Sequence, residues 1–395
     1  MSVHQLFTRF SGPGTAPAGQ ARPACRSRPL KPGRIQILLS LCILCLAASA
    51  SAAEIVLNAS TIGQYAGGIS YKSTEPLTVT IGDDVAIASS EYAGIESVAP
   101  VTIRSPTGKT LSLSVNNDSI LLYGITAPSV TVESGSLNIT VRGNNDGERG
   151  NAFGIAAIVS NVTITGGSVR ADVETSGHKN KGIYASHYII VSGGTITTDE
   201  RGGSNTFGLD GGDVEKGDTN GGIIISGGQV FTNSSGGKNR NIGIDSKFGT
   251  VSITGSPVVF VAEDGSGKAQ NFSCNTNITT ISGGDAVVFT ADGGNYTLRS
   301  NAVLSQNATL LSGKTFEIPA GMTLSIASGT SLVKPGTTTL LSGGNHGTFT
   351  CTRSFAGADG AEIYEGSEPT PQAGMPVAVL LAGLIGAIVL MRSRD

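Results

Sequence analysis

The sequence is poor in several residue types. It has no Trp, 8 Tyr and 12 Phe in 395 residues, and only 14% of it is charged, against about a quarter in ordinary globular proteins. The formal net charge of −3 gives no electrostatic reason to expect nucleic-acid binding. Nucleophile elbows, zinc-protease helix motifs and phosphate-binding loops are also missing from the sequence. The enzyme classes that those motifs identify are therefore not indicated.

Cysteine is scarce as well. Cys25, Cys42 and Cys45 lie near the N-terminus, and only Cys274 and Cys351 lie further along the chain. These two residues could form one disulfide in an oxidising compartment, and two unpaired thiols are the alternative. No group of cysteines has the spacing of a metal site.

Glycine, in contrast, is abundant, with 56 residues, about twice the usual share. A Gly-Ile or Gly-Leu pair recurs along the chain at intervals of 26, 30, 30, 28, 26 and 35 residues. A repeat of this length indicates a stacked array of supersecondary units. The pairs are Gly68-Ile69, Gly94-Ile95, Gly124-Ile125, Gly154-Ile155, Gly182-Ile183, Gly208-Leu209 and Gly243-Ile244.

Each repeat carries short alternating apolar runs separated by a glycine turn, most clearly in GIAAIVSNVTITGGSV, Gly154–Val169. The alternation places Val162, Ile164 and Val169 on one face. Three strands of about five residues and their corners occupy roughly 25–30 residues, which matches the period. One such rung cannot bury its apolar side, but rungs stacked about 4.8 Å apart can. The sequence therefore predicts an all-β fold, a right-handed parallel β-helix (solenoid).

The predicted β-helix domain covers residues 53–366. Its rungs are clearest at 68–273 and looser at 274–344, and residues 345–366 are predicted to form a cap. Tyr92, Tyr123, Phe153 and Phe207 lie at or near the residue before a Gly-Ile or Gly-Leu pair. We expect them to form a stacked aromatic column with a packing role rather than a ligand platform.

Both ends of the chain carry targeting patterns. Residues 1–52 combine a long basic segment, an apolar run and small residues, which is typical of a secretory signal peptide with a long n-region. Residues 367–374 are a spacer rich in Pro and Thr, and 375–391 are an uncharged apolar segment that as a helix would span roughly 26 Å. Residues 392–395 form a basic cytoplasmic tail. We expect export and anchoring at the cell surface through a C-terminal transmembrane helix.

This C-terminal arrangement resembles the sorting signals of archaeal and bacterial surface proteins, without an LPxTG motif. The resemblance leaves two outcomes open, a permanent single-span anchor and removal by a sorting enzyme. Candidate sites for N-glycosylation, which occurs on exported proteins, follow the Asn-X-Ser/Thr pattern. They are Asn58, Asn117, Asn138, Asn161, Asn233, Asn271, Asn277, Asn295 and Asn307.

The repeated phrases VTITGG and IIVSGGTI with polar stretches between them resemble the pectate-lyase-like β-helix superfamily, and in particular its secreted carbohydrate-binding members without lyase activity. The resemblance covers roughly residues 68–273. It implies a right-handed parallel β-helix, polysaccharide as a partner and calcium as a cofactor. No motif matches a family site, so the resemblance transfers no catalytic residue.

The candidate binding residues lie in the polar stretches. Asp210, Asp213 and Asp218 supply hard oxygen ligands and are candidates for a calcium site, although an ordinary solvated loop is the simpler interpretation. A candidate sugar-contact patch comprises His178, Tyr184, His187 and Tyr188. Exposed polar loop residues with no ligand are the alternative for this patch as well.

Three functions agree with these observations. The first is a surface-anchored, non-catalytic protein that binds carbohydrate or neighbouring envelope components, with membrane contact through its C-terminal helix and no nucleic-acid partner. The second is a polysaccharide lyase or glycoside hydrolase of the β-helix fold. The third is a structural envelope protein or adhesin. The missing catalytic cluster favours the first.

Overall fold

The computed structural model describes residues 52–144, 150–212, 221–263, 268–274, 279–281, 285–292 and 295–366. They form an all-β parallel solenoid of about nine turns, of the right-handed type, as the repeat predicts. Within these ranges no helix is long and apolar enough to cross a membrane. The predicted signal peptide and the predicted anchor at 375–391 lie outside the described residues.

Each full rung contributes one strand to sheet A, one to sheet C and one to sheet B, in that order along the chain. Sheet A comprises β1 (Ala53–Leu57), β3 (Leu77–Ile81), β6 (Val101–Arg104), β9 (Val130–Val132), β12 (Val162–Ile164), β15 (Tyr188–Val191), β18 (Gly222–Ile225), β21 (Thr250–Ile253) and β24 (Thr279–Ile281). Sheet B comprises β2 (Ile69–Tyr71), β5 (Ala93–Ser97), β8 (Leu121–Ala127), β11 (Asn151–Ala157), β14 (Lys179–Ala185), β17 (Asn205–Gly211), β20 (Arg240–Ser246) and β23 (Lys268–Cys274).

Sheet C extends furthest, because its strands continue into the C-terminal part of the chain. It comprises β4 (Val85–Ser89), β7 (Thr110–Asn116), β10 (Ser136–Gly143), β13 (Ser168–Thr175), β16 (Thr195–Arg201), β19 (Gln229–Ser235), β22 (Val258–Glu263), β25 (Val287–Asp292), β26 (Asn295–Leu298), β29 (Thr315–Glu317) and β32 (Thr339–Leu341). A 3₁₀ turn at Ile62–Tyr65 follows the first strand.

The Gly-Ile and Gly-Leu pairs all lie at the start of sheet B strands or within them. The Ile or Leu of each pair points into the core. Ile125, Ile155 and Ile183 are register partners on neighbouring strands and are fully buried. The glycine is needed for space, since a Cβ on Gly154 would lie 2.6 Å from the Cβ of Ala171 and 2.5 Å from the carbonyl oxygen of Gly182. The repeat therefore marks where the sheet B backbone passes closest to its neighbours.

The glycine turns between sheets A and C have a different cause. Gly135, Gly167, Gly194 and Gly228 have φ between 74° and 85°, a conformation that L residues with a side chain rarely adopt. The turn therefore changes the chain direction in two or three residues. This confirms the role that the sequence predicts for the Gly-Gly phrases.

The polar stretches before the Gly-Ile pairs are mostly strand rather than loop. β16 runs through Arg201 and β17 begins at Asn205, so only three residues connect them. Alternation along β16 directs Ile196, Thr198 and Glu200 into the solenoid. Hydrophobicity alone misassigns this segment, because its inward positions include polar residues that hydrogen-bond to each other.

The C-terminal part of the chain changes direction and builds a second core. β26 pairs antiparallel with β25. The sequence predicts that the parallel stack continues through residues 274–344, so this reversal differs from the prediction. Phe260, Phe289 and Phe316 form its fully buried centre. The remaining strands are β27 (Ala302–Leu304), β28 (Ala308–Thr309), β30 (Thr323–Ile326), β31 (Ser331–Lys334), β33 (Thr348–Thr350), β34 (Arg353–Ala356) and β35 (Glu362–Glu365), with a 3₁₀ turn at Ala358–Gly360.

Candidate functional site

The outer face of sheet B brings together part of the predicted patch. Tyr184 and Asp210 are register partners on β14 and β17, and Asp245 follows Asp210 in the same position on β20. His178 and Asp210 both line a small cleft of about 230 Å³ on this face. His187 and Tyr188 lie at the next corner, where Tyr188 begins β15 of sheet A and its backbone N–H donates a hydrogen bond of 3.0 Å to Asn161 Oδ1. The structure thus separates the predicted sugar-contact patch into two parts.

The aromatic column forms as expected over its first members and then changes. The rings of Tyr123 and Phe153 stack with centroids 5.0 Å apart and planes 9° apart, and Tyr92 meets Tyr123 edge-on at 6.3 Å. Mutual stacking occupies ring faces that a sugar would need, which supports the packing role. The next position in the column is Lys181, and Phe207 follows it.

Lys181 is the buried centre of this face. Its Nζ lies 4.1 Å from the ring centroid of Tyr184, 5.6 Å from that of Phe153 and 5.7 Å from that of Phe207. It also forms an ion pair with Asp210, with 2.5 Å between Nζ and Oδ2, and both side chains are about 5% exposed or less. A cation with nearly all of its surface removed from water requires such partners, because burial of a lone charge is costly.

Asp245 adds a second carboxyl group next to the pair. Its side chain is buried, and Oδ1 has no hydrogen-bond partner among the described residues. Burial, followed by the negative charge of Asp210, raises the pKa of Asp245 to about 6. The carboxyl group therefore exchanges its proton close to neutral pH.

Basic and amide side chains complete the cleft around these two acids. The cleft is lined by His178, Lys179, Asn205, Phe207, Asp210, Arg240, Asp245 and Lys247. The Arg240 guanidinium lies over the ring of Phe207 at 5.8 Å. The face can therefore hold charged and hydrogen-bonding groups, but the cleft is smaller than most small-molecule sites.

A second and larger depression lies on the outer face of sheet C. Here Phe231, Phe260 and Phe289 occupy one register position on β19, β22 and β25 and stack with centroids 4.8 and 5.7 Å apart. The C-terminal core covers Phe260 and Phe289 almost completely, whereas Phe231 is only half-buried. The same register position on the preceding strand is Thr197. The aromatic stack therefore ends at Phe231.

The groove beside Phe231 has a volume of about 840 Å³ and is called the Phe231 groove below. Two side-chain contacts fix its two walls relative to each other: Gln229 Nε2 donates to the carbonyl oxygen of Asn307 at 2.8 Å, and Gln306 Nε2 donates to that of Gly228 at 2.7 Å. Its lining combines rings and polar side chains: Arg170, Thr197, Thr198, Asp199, Phe231, Thr232, Asn233, Ser235, Ala262, Tyr296, Leu311, Ser312 and Lys314.

Sequence reasoning missed Lys181, Asp245 and the Phe231 groove. Alignment of the repeats on their Gly-Ile pairs gives a signal for the first two, since Lys181 stands where Tyr123 and Phe153 stand, and Asp245 stands where Asp210 stands. The sequence carries no comparable signal for the groove. Its second wall comes from residues about 80 positions further along the chain.

The structure describes only some of the residues of the predicted calcium site and of the predicted disulfide. The described residues contain no group of three or more His, Cys, Asp or Glu side chains that could hold a metal ion, and Asp213 and Asp218 lie outside them. Cys351 is half-buried and forms no disulfide with another described cysteine, while the side chain of Cys274 is outside the described part of the structure. The calcium site and the Cys274–Cys351 pairing therefore stay predictions.

The predicted glycosylation sites differ in exposure. Asn138, Asn233, Asn295 and Asn307 are exposed, and Asn277 lies outside the described residues. Comparison with known proteins adds no further guide to function: no protein-family model, no curated protein and no solved structure matches this chain.

Proposed function

We propose that this chain is an exported, surface-anchored and non-catalytic solenoid that binds carbohydrate in the Phe231 groove. The observation that carries the proposal is the terminal ring of the Phe231–Phe260–Phe289 stack, which borders a groove of about 840 Å³ with polar walls. Sites for small organic ligands commonly have volumes of about 300–1,000 Å³ and combine apolar surface with a few polar groups.

The apolar part of the groove suits a sugar ring. One face of a pyranose presents C–H groups, and these pack well against an aromatic ring. The Phe231 ring has the parallel ring of Phe260 on one side, whereas the position on the other side is a threonine. Tyr296 and Leu311 supply further apolar surface.

The rim of the groove supplies hydrogen-bonding groups for sugar hydroxyls. Arg170, Asn233, Ser312 and Lys314 are exposed at the rim. Asp199, the acidic residue of the lining, already forms an ion pair with Arg201. Neither Arg170 nor Lys314 forms an ion pair with a described residue, and these two cations favour glycans that carry carboxylate or sulfate groups.

Glycan-array binding by the purified protein tests the proposal. We expect binding that Phe231→Ala reduces at least tenfold and that Arg170→Ala weakens for acidic glycans. Phe355→Ala is the matched control, since Phe355 is 46% exposed on β34 and belongs to the C-terminal sheet. An absence of binding to any glycan, with and without Ca²⁺, would sink the proposal.

A hydrolase is the second candidate, and one observation favours it. Asp210 and Asp245 are adjacent carboxyl groups in different environments, and the pKa of Asp245 is raised to about 6, as a general acid requires. Turnover of a polysaccharide that disappears in Asp245→Asn would establish this function. No turnover on a broad polysaccharide panel would remove it.

A further inference from the structure

Lys181 and Asp210 have the arrangement of two groups ready to condense. They lie on β14 and β17, which are hydrogen-bonded neighbours in sheet B, and the Lys181 Nζ and the Asp210 Oδ2 are 2.5 Å apart. Both side chains are about 5% exposed or less. The fold already holds the two groups together, so the reaction does not pay the entropy of bringing them into contact. That entropy is a large part of the barrier when two separate groups react.

Aromatic rings surround the pair and help to keep water away from it. The rings of Phe153, Tyr184 and Phe207 all lie within 6 Å of the Lys181 Nζ. Condensation proceeds from the neutral pair, which forms when one proton passes from the ammonium to the carboxylate and gives an amine and a carboxylic acid. An amine is a nucleophile, and the carbonyl carbon of a carboxylic acid is an electrophile.

A proton carrier stands beside the pair. Asp245 is the register partner of Asp210 on β20, about 4.8 Å away along the solenoid. Its carboxyl group is buried, and its Oδ1 has no hydrogen-bond partner among the described residues. A carboxyl group can accept a proton on one oxygen and donate one from the other, as general acid–base catalysis requires.

We propose that Lys181 and Asp210 form an intramolecular amide bond that covalently links two neighbouring rungs. The Lys181 Nζ adds to Cγ of Asp210, the tetrahedral intermediate expels one oxygen as water, and Asp245 carries the proton from the nitrogen to the leaving hydroxyl group. The step consumes no other reactant and needs no oxidant. It is independent of glycan binding in the Phe231 groove, and it consumes one carboxylate of the pair on which a hydrolase would depend.

The cross-link would prevent separation of β14 from β17 and so keep the solenoid from unwinding at this point. A protein that is held at a surface and pulled from outside gains resistance to mechanical unfolding from such a link. The closed loop would contain residues 181–210, including the whole of β15 and β16.

Mass spectrometry of the denatured full-length protein, combined with tryptic mapping, tests the proposal. We expect a mass lower by one water molecule, no tryptic cleavage after Lys181, and a branched peptide that joins Lys181 to Asp210. Lys181→Arg and Asp210→Ala should restore the unmodified mass, and Asp245→Asn should slow or abolish formation of the link. Lys179→Arg, on the same strand, is the control that should retain it.

One other reaction of Asp210 gives the same mass change, because Asp210 precedes Gly211 and can close to a succinimide. A succinimide persists in Lys181→Arg and is hydrolysed in mild base, whereas the amide requires Lys181 and survives base. Circular dichroism confirms that each variant is folded. A wild-type protein of full mass with tryptic cleavage after Lys181, or a water loss that persists in Lys181→Arg, would overturn the proposal and leave a buried ion pair.

Discussion

Ser234 Oγ donates a hydrogen bond of 3.2 Å to Oε2 of Glu200 inside the solenoid, where neither side chain has access to solvent. The other carboxylate oxygen of Glu200 has no hydrogen-bond partner among the described residues. Burial, together with the nearby charge of Asp199, raises the pKa of Glu200 well above its ordinary value of 4.5. Burial therefore favours the neutral carboxylic acid over the ionised carboxylate at this position.

Glu200→Gln should raise the free energy of unfolding at neutral pH. The folded protein holds the Glu200 proton more tightly than the unfolded chain does, so the stability that Glu200 contributes is fully present below pH 4.5 and is lost as the pH rises through the folded pKa. Glutamine imitates the neutral acid and removes that loss. Urea unfolding at pH 5 and pH 8 measures the difference.

The exposed Glu133 provides the control for this measurement, because Glu133→Gln should leave the pH dependence of stability unchanged. If Glu200→Gln and the wild type lost stability equally between the two pH values, the interior carboxyl group would not be the source of the pH dependence.

Gly154→Ala should destabilise the solenoid by about 1–3 kcal/mol, the usual cost of overpacking a filled interior. The added Cβ would lie 2.6 Å from the Ala171 Cβ and 2.5 Å from a backbone oxygen, and neither atom belongs to a flexible side chain. Gly67→Ala is the matched control, since a Cβ there meets nothing within 4 Å. Thermal unfolding of both variants decides whether the repeated glycine is required for space, and equal melting temperatures would refute this explanation.

Phe260→Ala should cost about 3–5 kcal/mol, since the ring is 1% exposed and packs between Phe231 and Phe289 with Phe316 against its edge. Phe231→Ala should destabilise the protein less, because Phe231 is half-buried and one side of its ring borders the groove. Chemical unfolding of the two alanine variants should therefore rank Phe260 above Phe231. The reverse order would mean that Phe231 contributes more to the C-terminal core than its burial indicates.

Asn180→Ala should destabilise the protein by about 1–3 kcal/mol for each buried partner that is left unpaired. Asn180 is fully buried near the start of β14, beside the corner that leads into sheet B, and its Nδ2 donates to the carbonyl oxygens of Thr175 at 3.0 Å and Arg201 at 2.7 Å. Alanine at the exposed Asn138 should change stability by less than about 0.5 kcal/mol. Hydrogen exchange of the amides near this corner gives an independent reading, and unchanged protection would contradict the assigned role.

The sequence by itself determined the solenoid. The interval between Gly-Ile pairs, the period-2 alternation and the Gly-Gly turns are local signals, and a rung repeats the same local geometry every 26–35 residues. Those signals placed the Gly-Ile pairs, the inward Val162, Ile164 and Val169, and the aromatic column as far as Phe153 correctly. They did not identify the end of β16 at Asp199–Arg201 or the start of β17 at Asn205–Phe207, because inward Thr and Glu residues that hydrogen-bond to one another look like loop when only hydrophobicity is considered.

Only the tertiary structure decided where the candidate sites lie. Lys181 and Asp210 form a pair because β14 and β17 lie side by side in a particular register. The connections between rungs differ in length, so the sequence alone does not give this register. The Phe231 groove depends on the reversal at β26, which turns the C-terminal strands back over the outer face of sheet C. The groove leaves no periodic pattern in the sequence, because its walls are joined by residues 78 positions apart in the chain.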